Sequence, residues 1–207
     1  LSWHPASWRD MPIRQVPSYP DGAALRAMEE KLARFPPLVF AGECDRLTHA
    51  LAQAGERYVV VDNFSNSRPS VLERVGRITG QAPQCEQGDV GDAAFMADVL
   101  ARYPIEAVMH FAAFKAVGES VAQPLRYYAN NVAGTVALLQ AMHAAGVYTL
   151  VFSSSATVYG DPATLPIRED FPLSATNPYG WSKLMMEQVL ADVDASAPGQ
   201  WRLARLR

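Results

Sequence analysis

From Tyr58 onward, short apolar runs alternate with stretches whose apolar positions recur at helical spacing. Runs at 58–61, around Cys85, and at 105–111, 148–152 and 201–207 predict strands, the second the weakest. Between and after them the pattern predicts helices over about 69–78, 93–102 and 119–145, and from Pro178 to about Val193. Upstream, the apolar run at 38–41 predicts a further strand, and 45–54 a helix closed by Gly55. Earlier still, Leu25, Met28, Leu32 and Phe35 share one face of a helix that Asp21 caps and Pro36-Pro37 stops. Pro5, Pro12, Pro17 and Pro20 break any regular element before that, so the first residues read as an extended arm anchored by Trp3, Trp8 and Tyr19. Strand-helix alternation predicts an α/β fold: a doubly wound parallel sheet covered on both faces, spanning 38–207, with an arm and one helix over 1–37.

In such a sheet, ligands sit at the carboxyl ends of the strands, and there the polar residues of this chain gather. Ser153-Ser154-Ser155 ends the apolar run at 148–152, and Tyr179 and Lys183 follow, four apart, on one face of the last helix. A phenol normally holds its proton to about pH 10, and a neighbouring cation favours the phenolate, a workable general base near neutrality. A serine at the strand end could hydrogen-bond the same substrate oxygen. Tyr-x-x-x-Lys alone is a common helical spacing; the serine run beside it makes the pair a candidate site. His110, inside a strand, reads as a satisfied core histidine. Asn130 and Asn131 are poor helix formers within a helical stretch and need a hydrogen-bonding reason to be there.

The 207 residues are 49% hydrophobic, enough for one domain with a real core. A net charge of −3 gives no electrostatic reason to expect nucleic acid or an anionic membrane as partner. No apolar run approaches a bilayer span, and the first residues lack the basic-then-apolar order of a signal peptide, so a cytoplasmic protein is expected. Cys44 and Cys85 have no metal-ligand or redox spacing and read as small hydrophobes; no metal site is expected.

Consecutive strings from about Leu51 to the end resemble the UDP-glucose 4-epimerase family of extended short-chain dehydrogenases/reductases. They are VVVDNFSNS, GDV, HFAAFKAVGESV, PLRYYANNVAGT, FSSSATVYGD and NPYGWSK. The resemblance implies a Rossmann-like fold, NAD as cofactor and a UDP-hexose (UDP-glucose or UDP-galactose) as substrate, inverted at C4 by transient oxidation. It implies that Ser155, Tyr179 and Lys183 are catalytic. It places Asp62 and Asn63 at the adenosine ribose, Asp89 and Val90 near the adenine, Phe111, Ala112, Ala113 and Lys115 along the cofactor, and Asn130 behind it. It also implies a homodimer through the two long helices. On the residues alone, Asp62 is equally a solvated carboxylate at a strand end, Asp89 a turn residue and Lys115 a surface lysine. A related nucleotide-sugar dehydratase is disfavoured, because that reaction places an Asp-Glu pair where Ala156-Thr157 stands.

The first 45 or so residues resemble something else. The pattern PxxQxPxYPD over Pro12 to Asp21 and the string PPLVFAGE resemble the start of class II 3-deoxy-D-arabino-heptulosonate 7-phosphate (DAHP) synthase of the shikimate pathway. That family's metal- and phosphoenolpyruvate-binding residues come later in its sequence and are not met here. The glycine loop that epimerases carry after their first strand is replaced by Ala41-Gly42-Glu43-Cys44-Asp45, with one glycine and two carboxylates where a diphosphate wants bare N–H groups. Three expectations follow: 38–41 fills the slot of the first strand, cofactor binding is impaired, and the substrate lobe beyond the last strand is missing. A non-catalytic fused or truncated relic, or a portion of a DAHP synthase, are the alternatives.

Overall fold

In the computed structural model the described residues are 37–40, 48, 51, 56–80 and 82–207, with side chains left aside at 37–40. The N-terminal arm, the helix expected at 21–35 and the loop at 41–45 lie outside them, as does most of the helix expected at 45–54, of which Thr48 and Leu51 are helical.

Six strands form one sheet. They are β1 (Pro37–Phe40), β2 (Val59–Asp62), β3 (Gln84–Gln87), β4 (Ala107–His110), β5 (Thr149–Ser153) and β6 (Arg202–Leu206), in the order β3-β2-β1-β4-β5-β6. Every neighbouring pair is parallel. This is the doubly wound arrangement, with the order reversing between β1 and β4. β1 lies where the hydrophobic pattern expected it, pairing Leu38 with Val59 on one side and with Val108 on the other. Pro37, at its first position, is where a central strand tolerates a residue without an N–H.

β2, β4 and β5 read as apolar runs because both their faces are covered, whereas the edge strands β3 and β6 are more exposed and mixed in polarity. Helices α1 (Ser70–Thr79) and α2 (Ala93–Arg102) follow β2 and β3. Asp92 caps α2 by accepting from the N–H groups of Ala94 and Phe95, both at 3.0 Å.

The expected helix over 119–145 is interrupted. It begins at α3 (Val117–Ala122), restarts at Pro124 as α4 (Pro124–Tyr127), widens into a π-helical turn (Tyr128–Ala133) and continues as α5 (Gly134–Ala144). Proline cannot donate to the preceding turn, which accounts for the first break. At the π-turn Thr135 returns its hydroxyl to the Asn131 carbonyl at 2.7 Å, a side-chain competitor for the helical acceptor. The last helix, α6 (Pro178–Ser196), opens with Asn177 accepting from Gly180 N–H at 2.9 Å and Pro178 at the first position, where its missing donor costs nothing. One core unites Met96 and Val99 of α2, Leu138 and Met142 of α5, Leu150 and Phe152 of β5, and Met186 and Leu190 of α6.

Candidate active site

The three serines at the end of β5 are each held by a different partner. Lys183, buried on α6, donates from Nζ to the Ser153 carbonyl at 2.7 Å and lies 4.8 Å from the Phe152 ring. Ser154 donates from Oγ to Glu187 at 2.5 Å, and Arg207 closes on the same carboxylate through Nε and Nη2. Arg207 also donates from Nη1 to the Tyr159 hydroxyl at 3.0 Å. Ser155 starts a short 3-10 turn (Ala156–Tyr159), and its Oγ accepts from the N–H of Thr157 at 3.2 Å and from the Thr157 hydroxyl at 2.9 Å. With both contacts accepted on oxygen, the Ser155 hydrogen is left to donate to a ligand.

Two glycines let the catalytic elements close on one another. A Cβ at Gly180, next to Tyr179, would meet the Thr157 carbonyl at 2.9 Å, so only glycine lets the first turn of α6 seat against the 3-10 turn. Gly160 has φ +61°, and a Cβ there would lie 2.0 Å from the Ser174 carbonyl. Ser155, Lys183 and the turn of α6 that carries Tyr179 thereby meet at the carboxyl end of β5. Burial pushes the Lys183 ammonium down to about 8.

A second cluster lies at the carboxyl ends of β2, β3 and β4. Asp62, Asn63, Asp89, Val90, Ala112, Ala113 and Asn130 line one cleft with about 370 Å³ of empty space, part of it open to solvent. Phe111 and Lys115, placed along the cofactor by the sequence, are not among the cleft's lining residues; Lys115 is exposed and Phe111 half-buried. Ser65, Asn66, Gly88 and Phe114 line it as well. The sequence held a signal for all four, since Ser65 and Asn66 belong to VVVDNFSNS, Gly88 opens GDV and Phe114 lies in HFAAFKAVGESV.

Asp62 is not the solvated strand-end carboxylate that the sequence left open: it is 5% exposed. It accepts from the Phe64 N–H at 2.8 Å and the Ser67 hydroxyl at 2.7 Å. Burial pushes its carboxyl above the ordinary range, and the bonds from Ser67 and Phe64 oppose that. Each oxygen takes one of these bonds and keeps a further lone pair. Asn63 donates to Asp89 at 2.8 Å, and the other Asp89 oxygen accepts from the Gly91 N–H, so the turns after β2 and β3 are tied together.

His110 is a core histidine, as its place in a strand predicts. Burial, helped by the charge of Lys183, pushes it down to about 3, so it is neutral. Its Nε2 lies 2.8 Å from Thr135 Oγ1, whose only hydrogen goes to the Asn131 carbonyl, so Nε2 carries the proton. Cys85 is half-buried and its thiol is pushed up to about 11, first by burial, which makes it a poor nucleophile or ligand. Among the described residues no group of His, Cys, Asp and Glu could hold a metal, and no helix is long and apolar enough to cross a membrane.

The profile of the NAD dependent epimerase/dehydratase family matches residues 45–206, and that of the Class-II DAHP synthetase family matches residues 3–62. The chain is 52% identical over 158 residues to a UDP-glucose 4-epimerase of Yersinia pestis, covering 76% of this chain and 46% of that protein. It is 54% identical over 157 residues to a UDP-glucose 4-epimerase of Bacillus subtilis, with the same coverage of each. It thus spans about half the length of these curated relatives. Among solved structures, UDP-glucose 4-epimerase from Bifidobacterium longum in complex with NAD+ and UDP superposes with a TM-score of 0.80 at 46% identity, over 83% of this chain and 52% of that one. The Stenotrophomonas maltophila enzyme with bound NAD and formylated UDP-arabinopyranose gives a TM-score of 0.79 at 45% identity, over 84% and 52%.

Proposed function

This chain belongs to the NAD dependent epimerase/dehydratase family, and we propose from that premise that it is the cofactor-binding portion of a UDP-glucose/UDP-galactose 4-epimerase. Residues 38–207 form the cofactor domain in this reading, with 1–37 as an arm and helix of different ancestry. The observation that carries it is Ser155: two donors occupy its oxygen, its own hydrogen is to spare, and buried Lys183 is anchored two residues away.

The cleft residues fit NAD. Asp62 keeps one lone pair on each oxygen after its bonds to Phe64 and Ser67, which suits the two hydroxyls of an adenosine ribose and repels a 2′-phosphate. Ala112 and Ala113, small and at the end of β4, leave room for a flat ring system against the backbone. Bound there, the nicotinamide supplies the redox chemistry, accepting and returning hydride at sugar C4.

The protein's part is position and proton transfer. Tyr179, as phenolate, takes the proton of the 4-hydroxyl and gives it back when the configuration has inverted. Ser155 donates its spare hydrogen to that same oxygen and holds it through both directions. Lys183, fixed by the Ser153 carbonyl, holds its ammonium at the strand end beside the substrate oxygen. Opposed to this machinery is the stretch after β1, where Glu43 and Asp45 stand in place of a glycine loop and weaken the hold on the diphosphate.

Calorimetric titration with NAD and with UDP-glucose tests the reading. Binding of both supports it; NAD alone leaves a cofactor domain without substrate recognition; binding of neither defeats it. The helices α3, α4 and α6 pack together and leave Val121, Leu125, Trp181 and Met185 exposed, the first two 63% and 82%. An apolar face of this kind supports a homodimer. Light scattering behind a sizing column should give twice the chain mass, and Leu125→Glu should halve it; a wild-type monomer removes that part of the reading.

A further inference from the structure

The segment after β4 forms part of the cleft wall through Phe114, yet it belongs to no strand or helix. Its backbone is nonetheless paired. The Phe114 N–H donates to Asn131 Oδ1 at 2.8 Å, and the Phe114 carbonyl accepts from Asn131 Nδ2 at 2.9 Å. Two residues on, the Ala116 N–H donates to the Tyr127 hydroxyl at 3.0 Å, and that hydroxyl's single hydrogen is shared between the Ala116 carbonyl and the Glu119 carboxylate, each at 2.8 Å. Asn131 therefore meets one residue's donor and acceptor together, as a neighbouring strand would, and Tyr127 meets the donor of the other and shares its hydrogen with the acceptor.

The spacing explains why a helix can do this. Residues four apart on a helix share a face and are separated by about 6 Å along the axis, at ~1.5 Å per residue. Residues two apart in an extended chain are separated by about 6.6 Å and present their backbone groups to the same side. Tyr127 and Asn131 are four apart, Phe114 and Ala116 two apart, so the two ladders match. Asn131 sits in the π-turn and is 2% exposed; Tyr127 is fully buried. Asn131 Nδ2 also donates to Ser182 Oγ at 3.1 Å, and Ser182 donates to the Tyr179 carbonyl at 2.7 Å, which joins the cleft wall to the turn that carries the tyrosine.

We propose that Tyr127 and Asn131 are positioning residues, a two-point clamp that holds Phe114–Ala116 extended as the wall against which the dinucleotide binds. Its link to the cofactor rests on the function proposed above; the clamp itself does not. Neither residue touches the reacting atoms. Asn131→Asp keeps the size and the acceptor for Phe114 N–H but removes the donor to Phe114 and Ser182. Tyr127→Phe removes only the hydroxyl.

The test is amide hydrogen exchange and NAD titration on the full chain and both variants. Exchange at Ala116 should accelerate about tenfold or more in Tyr127→Phe, the loss of roughly one hydrogen bond's worth of protection, and exchange at Phe114 should rise by less in Asn131→Asp, which keeps its acceptor but frees its carbonyl, while Leu150 and Phe152 of β5 keep wild-type rates. The NAD dissociation constant should rise about tenfold in Asn131→Asp and less in Tyr127→Phe, which retains one half of the clamp. Unchanged exchange at both amides in both variants overturns the clamp. Accelerated exchange with wild-type NAD affinity overturns its link to the cofactor. Should Asn131→Asp lose protection throughout β5, the milder Tyr127→Phe decides. A wild-type chain that binds no NAD removes the functional reading instead, and the exchange measurement then decides the clamp by itself.

Discussion

The two halves of the sheet are completed in different ways. On the β4-β5-β6 side, the strand ends are locked by named side chains: Lys183 on Ser153, Glu187 on Ser154, and Arg207 on Glu187 and Tyr159. On the β1-β2-β3 side, the central strand comes from a stretch that matches the DAHP synthetase profile, and it enters the sheet through backbone pairing with β2 and β4. The difference separates what a fold requires from what a site requires. A strand slot asks for extended backbone with its donors and acceptors, which any suitable apolar run supplies. A diphosphate-binding turn asks for glycine at particular positions, and the stretch Ala41-Gly42-Glu43-Cys44-Asp45 offers one glycine.

The catalytic side can be broken most severely by Tyr179→Phe. Removal of a general base costs about 10²- to 10⁴-fold in turnover, so if the chain epimerises as proposed, the reaction should fall by at least a hundredfold while NAD affinity stays close to wild type. A variant within tenfold of wild type in a coupled UDP-galactose assay would end the assignment.

Next comes the charge buried on that side. Lys183 is pushed down to about 8 from 10.5. Below about pH 8 it is protonated in both folded and unfolded chains, and the burial penalty is present in full. Between about 8 and 10.5 the unfolded chain binds the proton that the folded chain has released, so stability rises with pH. The gain over the whole window is on the order of 3 kcal/mol. Urea midpoints near the two ends of the window should show it in the wild type and not in Lys183→Met; equal slopes would contradict it.

Glu187→Ala attacks the lock itself. It leaves Arg207 without its buried partner, and because the Arg207 side chain is still 22% exposed, the loss should fall near the low end of the range for broken buried pairs, about 3 kcal/mol. Thermal unfolding measures it, and a change under about 1 kcal/mol would show that the pair is a surface ornament.

The smallest expected effect sharpens the other half. Glu43→Gln with Asp45→Asn removes two negative charges from the stretch that replaces the glycine loop, and NAD should bind a few-fold tighter, about 1 kcal/mol, less at high salt. No change in the dissociation constant at low salt would mean that those carboxylates lie away from the diphosphate.

The expectation for Ser155, Tyr179 and Lys183 rested on a strand end and a helix spacing, which place such residues on neighbouring elements without knowledge of packing. Asp62, Asn63, Asp89 and Val90 were legible for the same reason, each ending a strand or opening the turn after it. Phe111 and Lys115 of the string HFAAFK lie outside the lining of this cleft, since which side chains of an irregular segment reach it depends on what holds its backbone. The breaks at Pro124 and the π-turn were hidden too: apolar periodicity runs through them, and the amide of Asn131 finds its partners on residues 17 positions away.

Periodicity and local chemistry in the amino acids alone thus determined the alternating strands and helices, the parallel sheet and the slot for β1, because these follow from which residues share a face and which end a strand. Tertiary structure alone decided that Glu187 and Arg207 lock the serine turn, that Asp62 is buried and already half-satisfied, and that Tyr127 and Asn131 grip the cleft wall. Those bonds join residues far apart in the chain, and their partners are fixed only once the sheet and helices have packed.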